Sequence, residues 1–170
     1  MNGRALLASA FVGLVAPSAL ADTVIELGGG WEAIVIDEDF IDLAVDFVSI
    51  EDDILVIEKF ANFLNIDELT GQPDPVRILF NQIAPDDQTV SRIVIADEVV
   101  SNNTGFDWIG FEMHLLSSTA HWDPDASMDF TFDPFTSMSF NGDNSVVSFS
   151  GGTILDGDIW TPGVDAGELV

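Results

Sequence analysis

The sequence predicts an all-β fold, an antiparallel β-sandwich or jelly-roll-like single domain, standing behind an N-terminal signal peptide. Three observations predict it. Apolar and polar residues alternate along residues 41–48 and again along 108–116, the period of half-buried strands. Short apolar runs recur between clusters of Gly, Pro, Asn and Asp, a spacing that suits a sandwich. Apolar residues make up 47% of the chain, enough to bury a core and set disorder aside despite a high charge.

Residues 1–21 carry the three parts of an export signal. Met1 to Arg4 is a short positive start. Residues 5–15 are apolar apart from Ser9 and Gly13, and Pro17-Ser18 ends the run. Ala19-Leu20-Ala21 is a small-x-small pattern that places the cut before Asp22. The run is too short for a bilayer-spanning helix, which takes about 20 apolar residues. The expected organisation is a signal peptide over 1–21 and an acidic β-sandwich over 22–170, exported, with no membrane span in the mature chain.

Gly28-Gly29-Gly30 reads as a loop leading into a strand over 31–36. In 41–48, Ile41, Leu43, Val45 and Phe47 share one strand face. Residues 53–64 suit two periods. Ile54, Ile57, Phe60, Ala61 and Leu64 fit a helix face; Leu55, Ile57, Ala61 and Phe63 fit a strand face interrupted by Lys59. The β-rich surroundings favour the strand. Gly71-Gln72-Pro73-Asp74-Pro75 is a loop. Residues 76–82 and 89–100 read as strands turned by Pro85-Asp86-Asp87.

Along 108–116, Ile109, Phe111, Met113 and Leu115 share one face, and Gly110, Glu112 and His114 the other. Met128, Phe130 and Phe132 alternate with Asp129, Thr131 and Asp133. Asn141-Gly142-Asp143-Asn144 predicts a hairpin between 138–140 and 146–149. Asp156-Gly157-Asp158 and Thr161-Pro162-Gly163 supply the last turns.

All 30 acidic residues follow Ala21, opposed there only by Lys59, Arg77 and Arg92; the formal charge of the sequence is −26. Such a field repels nucleic acid and anionic lipid and attracts cations, divalent ones most. The chain has no cysteine, so disulfides, thiol nucleophiles and thiolate metal sites are all excluded.

Calcium takes six to eight oxygen ligands, often from closely spaced carboxylates. Asp123, Asp125 and Asp129 fall at the first, third and seventh places of such a loop. Met128 stands where an EF-hand needs glycine and Pro134 where it needs glutamate. Asp156 and Asp158 offer a smaller oxygen cluster. These five are weak calcium candidates beside ordinary Asx-turn chemistry. Glu112 and His114 share a strand face with the spacing of two metal ligands, and His121 is a third candidate; an exposed polar face is the favoured reading. No Gly-x-Ser-x-Gly elbow, His-Glu-x-x-His helix or phosphate-binding loop occurs. Asn102-Asn103-Thr104 matches a glycosylation sequon. The four tryptophans offer a sugar-stacking platform only where exposed.

The stretch Ile93-Val94-Ile95-Ala96-Asp97-Glu98-Val99-Val100-Ser101-Asn102-Asn103-Thr104-Gly105-Phe106-Asp107-Trp108-Ile109-Gly110-Phe111 resembles a recurring segment of bacterial exported proteins of the PEP-CTERM-associated type. Val56-Ile57-Glu58-Lys59-Phe60 and Thr161-Pro162-Gly163 are similar to that family as well. The resemblance covers residues 50–168, and only the central segment is specific. It implies a secreted or surface-displayed β domain of a bacterial envelope or biofilm matrix, and it brings no catalytic residues. The family's tail signature, Val-Pro-Glu-Pro followed by an apolar helix and a basic end, is not in this chain. The expectation is a truncated chain or a member released unanchored. The turn stands without the family: Asn and Gly tolerate positive φ, and Thr caps by its side chain.

The leading expectation is a non-catalytic domain with a structural or interaction role in the envelope or extracellular matrix. Divalent cations, polysaccharide or matrix proteins are its candidate partners. A calcium-dependent carbohydrate-binding module stands second, and a secreted hydrolase using paired carboxylates third.

Overall fold

The computed structural model describes residues 23–36, 41–51, 53–64, 77–117, 119–163, 167, 169 and 170. Within strands, the side chains of residues 36, 41–46, 51 and 97 are not described. The expected signal peptide over residues 1–21 and the loop expected at Gly71–Pro75 lie outside these residues.

The regular structure of the described chain is almost entirely strand: β1 (Thr23–Gly28), β2 (Trp31–Ile36), β3 (Ile41–Glu51), β4 (Ile54–Phe63), β5 (Arg77–Gln82), β6 (Arg92–Asn102), β7 (Trp108–His114), β8 (Ser137–Phe140), β9 (Val146–Ile154) and β10 (Ile159–Trp160), with one short 3-10 turn at Asp86–Gln88. They form three sheets, ordered β1-β2-β5, β10-β6-β4-β3 and β7-β9-β8. The all-β, sandwich-like class follows. Among the described residues no helix is long and apolar enough to cross a membrane.

One pair departs from a wholly antiparallel plan. β4 and β6 run parallel. Parallel neighbours need a long crossover, and here it includes β5, which belongs to another sheet.

The ambiguous segment is a strand. Leu55, Ile57, Ala61 and Phe63 of β4 are buried, the face that period two selects. Lys59 interrupts that face without spoiling it. Its ammonium meets the carboxylate of Glu98 on β6, and Glu98 is its register partner. A charge taken out of water is tolerable only when paired.

The core joins the four-stranded sheet to the β7-β9-β8 sheet through aromatic rings. Phe63 of β4 meets Trp108 edge-on at 5.1 Å. Trp160 of β10 meets Phe111 of β7, Phe135 and Phe149 of β9 at 5.1, 5.2 and 5.3 Å. Edge-to-face contacts of this kind add stability beyond the area they bury.

The expected inner face of β7 is shifted at its start. Trp108 is buried and Ile109 faces solvent. The register slips between Trp108 and Gly110, which pair with Ile154 and Ser150. Gly151 to Thr153 of β9 thus stand opposite Ile109 alone; the extra residues bulge β9 and twist the pair locally, and Ile109 leaves the face that Phe111 and Met113 keep.

The apolar alternation at 128–132 makes no strand. Residues 124–129 are turns. Ala126 N donates to Asp123 Oδ1 at 3.1 Å, Ser127 N to Asp123 O at 3.1 Å, and Phe130 N to Ser127 O at 3.2 Å. Side-chain capping by Asp123 offers the backbone a turn in place of a ladder. Phe130 still reaches the core, while Met128 is exposed.

The β8–β9 hairpin forms as expected. Asn141 closes it from both ends: its N–H donates to Val146 O at 3.1 Å and its Oδ1 accepts from Val146 N at 3.0 Å. Asn144 takes the left-handed conformation at φ 55°, which Asn tolerates better than most residues.

Candidate functional site: the 102–108 corner

The segment singled out by its sequence is the connection from β6 to β7. It turns the chain from one sheet of the core to the other, and its polar groups are used in making that turn.

Asn102 is the hub, with 0% of its surface exposed. Its Nδ2 donates to Phe106 O at 2.7 Å and Ile154 O at 3.3 Å. Its Oδ1 accepts from Thr104 N at 3.2 Å and Thr104 Oγ1 at 2.7 Å. Trp108 Nε1 then donates to Thr104 Oγ1 at 3.1 Å. Burial of each amide and hydroxyl is therefore offset by a bond. A glycan has no access to Asn102 in this fold, which removes the sequon reading.

The rest of the segment fixes the corner to its neighbours. Asn103 N donates to Phe63 O at 2.9 Å and Asn103 Nδ2 to Asn62 Oδ1 at 2.6 Å. Gly105 has φ 81°, a region that glycine enters without strain. Gly105 N donates to Asp156 Oδ1 at 2.8 Å, and Asp156 N to Asp107 Oδ1 at 3.0 Å. The 102–108 corner and the β9–β10 loop are thus stitched in both directions.

The calcium candidates are distributed as follows. Asp123 Oδ1 caps the turn at Ala126, and its Oδ2 accepts from Arg92 Nη2 at 3.2 Å. Asp156 binds Gly105, and Asp158 Oδ2 accepts from Leu155 N at 3.2 Å. Asp125 and Asp129 are exposed. Among the described residues, no three Asp, Glu or His side chains are grouped to hold a metal ion.

Glu112 and His114 do meet on the outer face of β7. The imidazole Nε2 lies 3.0 Å from Glu112 Oε2, and Ser148 Oγ donates to Glu112 Oε1 at 3.0 Å. These bonds, His114's first, hold the Glu112 carboxyl below its ordinary range. The pair is an exposed cross-strand contact. Trp108, Trp122 and Trp160 are buried, and half-buried Trp31 donates its indole N–H to Val90 O at 2.9 Å. The tryptophans thus form core rather than an exposed platform.

A shallow hollow is lined by Trp31, Gln82, Asp86, Thr89, Val90 and Ser91. Gln82 Nε2 donates there to Ala84 O, Asp86 Oδ1 and Thr89 Oγ1 at 2.8, 2.9 and 3.2 Å. The hollow's amide therefore ties down the β5–β6 turn.

No protein-family model, curated protein or solved structure matches the chain. The corner's role has to follow from its own geometry. Sequence reasoning found this segment through its turn residues. It missed Asn102 as a buried hub, because nothing in an Asn-Asn pair says which amide turns inward.

Proposed function

We propose that this protein is an exported, non-catalytic β domain of the bacterial surface or extracellular matrix, with a structural or interaction role. The observation that carries the proposal is the use made of the 102–108 segment. Its buried amide, hydroxyl and indole groups bind one another and their own backbone. Groups committed in this way build a rigid corner and are not free to act on a substrate.

Composition supports the same reading. A strongly acidic surface over an aromatic core suits a domain that stays dispersed outside the cell and meets cationic partners. The order positive start, apolar run, small-x-small site supports export. Membership in the PEP-CTERM-associated class is part of the proposal and rests on the Asn-Asn-Thr-Gly-x-Asp-Trp segment.

Mass spectrometry of the chain expressed in a Gram-negative host tests export. The expected product lies outside the inner membrane and begins at Asp22. A chain that keeps Met1 and stays in the cytoplasm would overturn the proposal.

A further inference from the structure

The corner presents apolar side chains that its own fold leaves uncovered. Phe106 is 58% exposed, Ile109 78% and Leu155 51%. They lie in one stitched region, since Gly105 and Asp107 bind Asp156 while Trp108 pairs with Ile154. Ile109 faces outward where the register between β7 and β9 slips. Asp107, Asp156 and Asp158 stand among them, exposed. Among the described residues none of these three carboxylates meets a cation.

We propose that Phe106, Ile109 and Leu155, ringed by Asp107, Asp156 and Asp158, form a docking surface for a cationic amphipathic segment of a partner protein. This deepens the interaction role proposed above and rests on it. An apolar centre with a polar rim is the anatomy of a protein interface, and exposed apolar patches mark such sites. Charge complementarity selects the occupant. At a net charge of −26, a second copy or an acidic partner is repelled, and a Lys- or Arg-rich one is steered in. The bonds beneath the surface are already made, so little ordering cost remains for binding.

Fluorescence anisotropy tests this with the mature chain and three labelled peptides: one alternating Lys and Leu, one alternating Glu and Leu, and oligolysine. The Lys-Leu peptide is expected to bind most tightly and to weaken with salt. The double variant Phe106→Ser/Ile109→Ser is expected to lose about tenfold in affinity, with its circular dichroism and melt unchanged. Leu79→Ser, at an exposed site on β5, is expected to bind as the parent does. If the double variant binds like the parent, or oligolysine binds as well as Lys-Leu, the docking surface is overturned. Self-association that the double variant abolishes would overturn the cationic occupant. These failures leave the non-catalytic reading standing; enzymatic turnover would remove that reading instead.

Discussion

Trp108 donates its indole hydrogen to Thr104 Oγ1 at 3.1 Å, and the same hydroxyl donates to Asn102 Oδ1 at 2.7 Å. One buried hydroxyl therefore links the first core ring of β7 to the last residue of β6. Thr104→Val keeps the shape and removes both bonds. It leaves a buried indole N–H without its acceptor and is expected to destabilise the fold by about 1–3 kcal/mol. Thr104→Ser, which keeps the hydroxyl, is expected to retain most of that stability. Urea unfolding of the two variants checks the difference.

Lys59 and Glu98 form an ion pair inside the sandwich; the Glu98 side chain is fully buried and Lys59 is 14% exposed. Removing one partner strands a buried charge. Lys59→Met is expected to cost about 3–5 kcal/mol, and Lys59→Met with Glu98→Met to regain much of the loss. A double-mutant cycle in urea measures the coupling. Additive costs would show that the pair contributes nothing.

Gly152 passes close to the chain before β8. A Cβ there would sit 2.0 Å from Pro134 O and 2.9 Å from Phe135 Cα. Backbone atoms cannot swing aside, so Gly152→Ala is expected to destabilise by about 1–3 kcal/mol, as overpacking does. Gly142 has open space around it. Gly142→Ala is expected to stay within about 0.5 kcal/mol of the parent. Thermal melts of the two single variants check the contrast.

Asp53 occupies a left-handed position, φ 70°, and its carboxylate accepts from Ser91 Oγ at 2.6 Å and Ser91 N at 3.1 Å. The hydroxyl bond is the main cause that holds its pKa below the ordinary carboxylate range. A depressed folded pKa means stability that is present above the unfolded value and lost as pH falls through the folded one. Ser91→Ala is expected to move the Asp53 midpoint upward in an NMR titration. It is also expected to shrink the part of the acid limb due to Asp53.

The fold was legible where period two ran on past a single exception and where turn residues clustered. Residues 55, 57, 61 and 63 named the buried face of β4, and Asn141 to Asn144 named a hairpin. It was misread where one local event reversed the pattern. Ile109 turns outward where extra residues in β9 slip the register against β7, and Asp123 capping turns an apparently alternating stretch into a run of turns. The parallel β4–β6 pair was out of reach because alternation says which face is buried and nothing about which strand lies beside it. At the corner, turn chemistry was visible in Gly105. The inward amide of Asn102 and the Glu98 partner of Lys59 are tertiary facts, and each depends on a residue distant in sequence.

The central claim is that this domain binds and does not catalyse. The most direct measurement is turnover by the purified mature protein across glycoside, ester and peptide substrates, with and without added calcium. The expected result is no rate above the blank under either condition. Turnover that disappears on replacing a single carboxylate by its amide, with the fold retained, would contradict it.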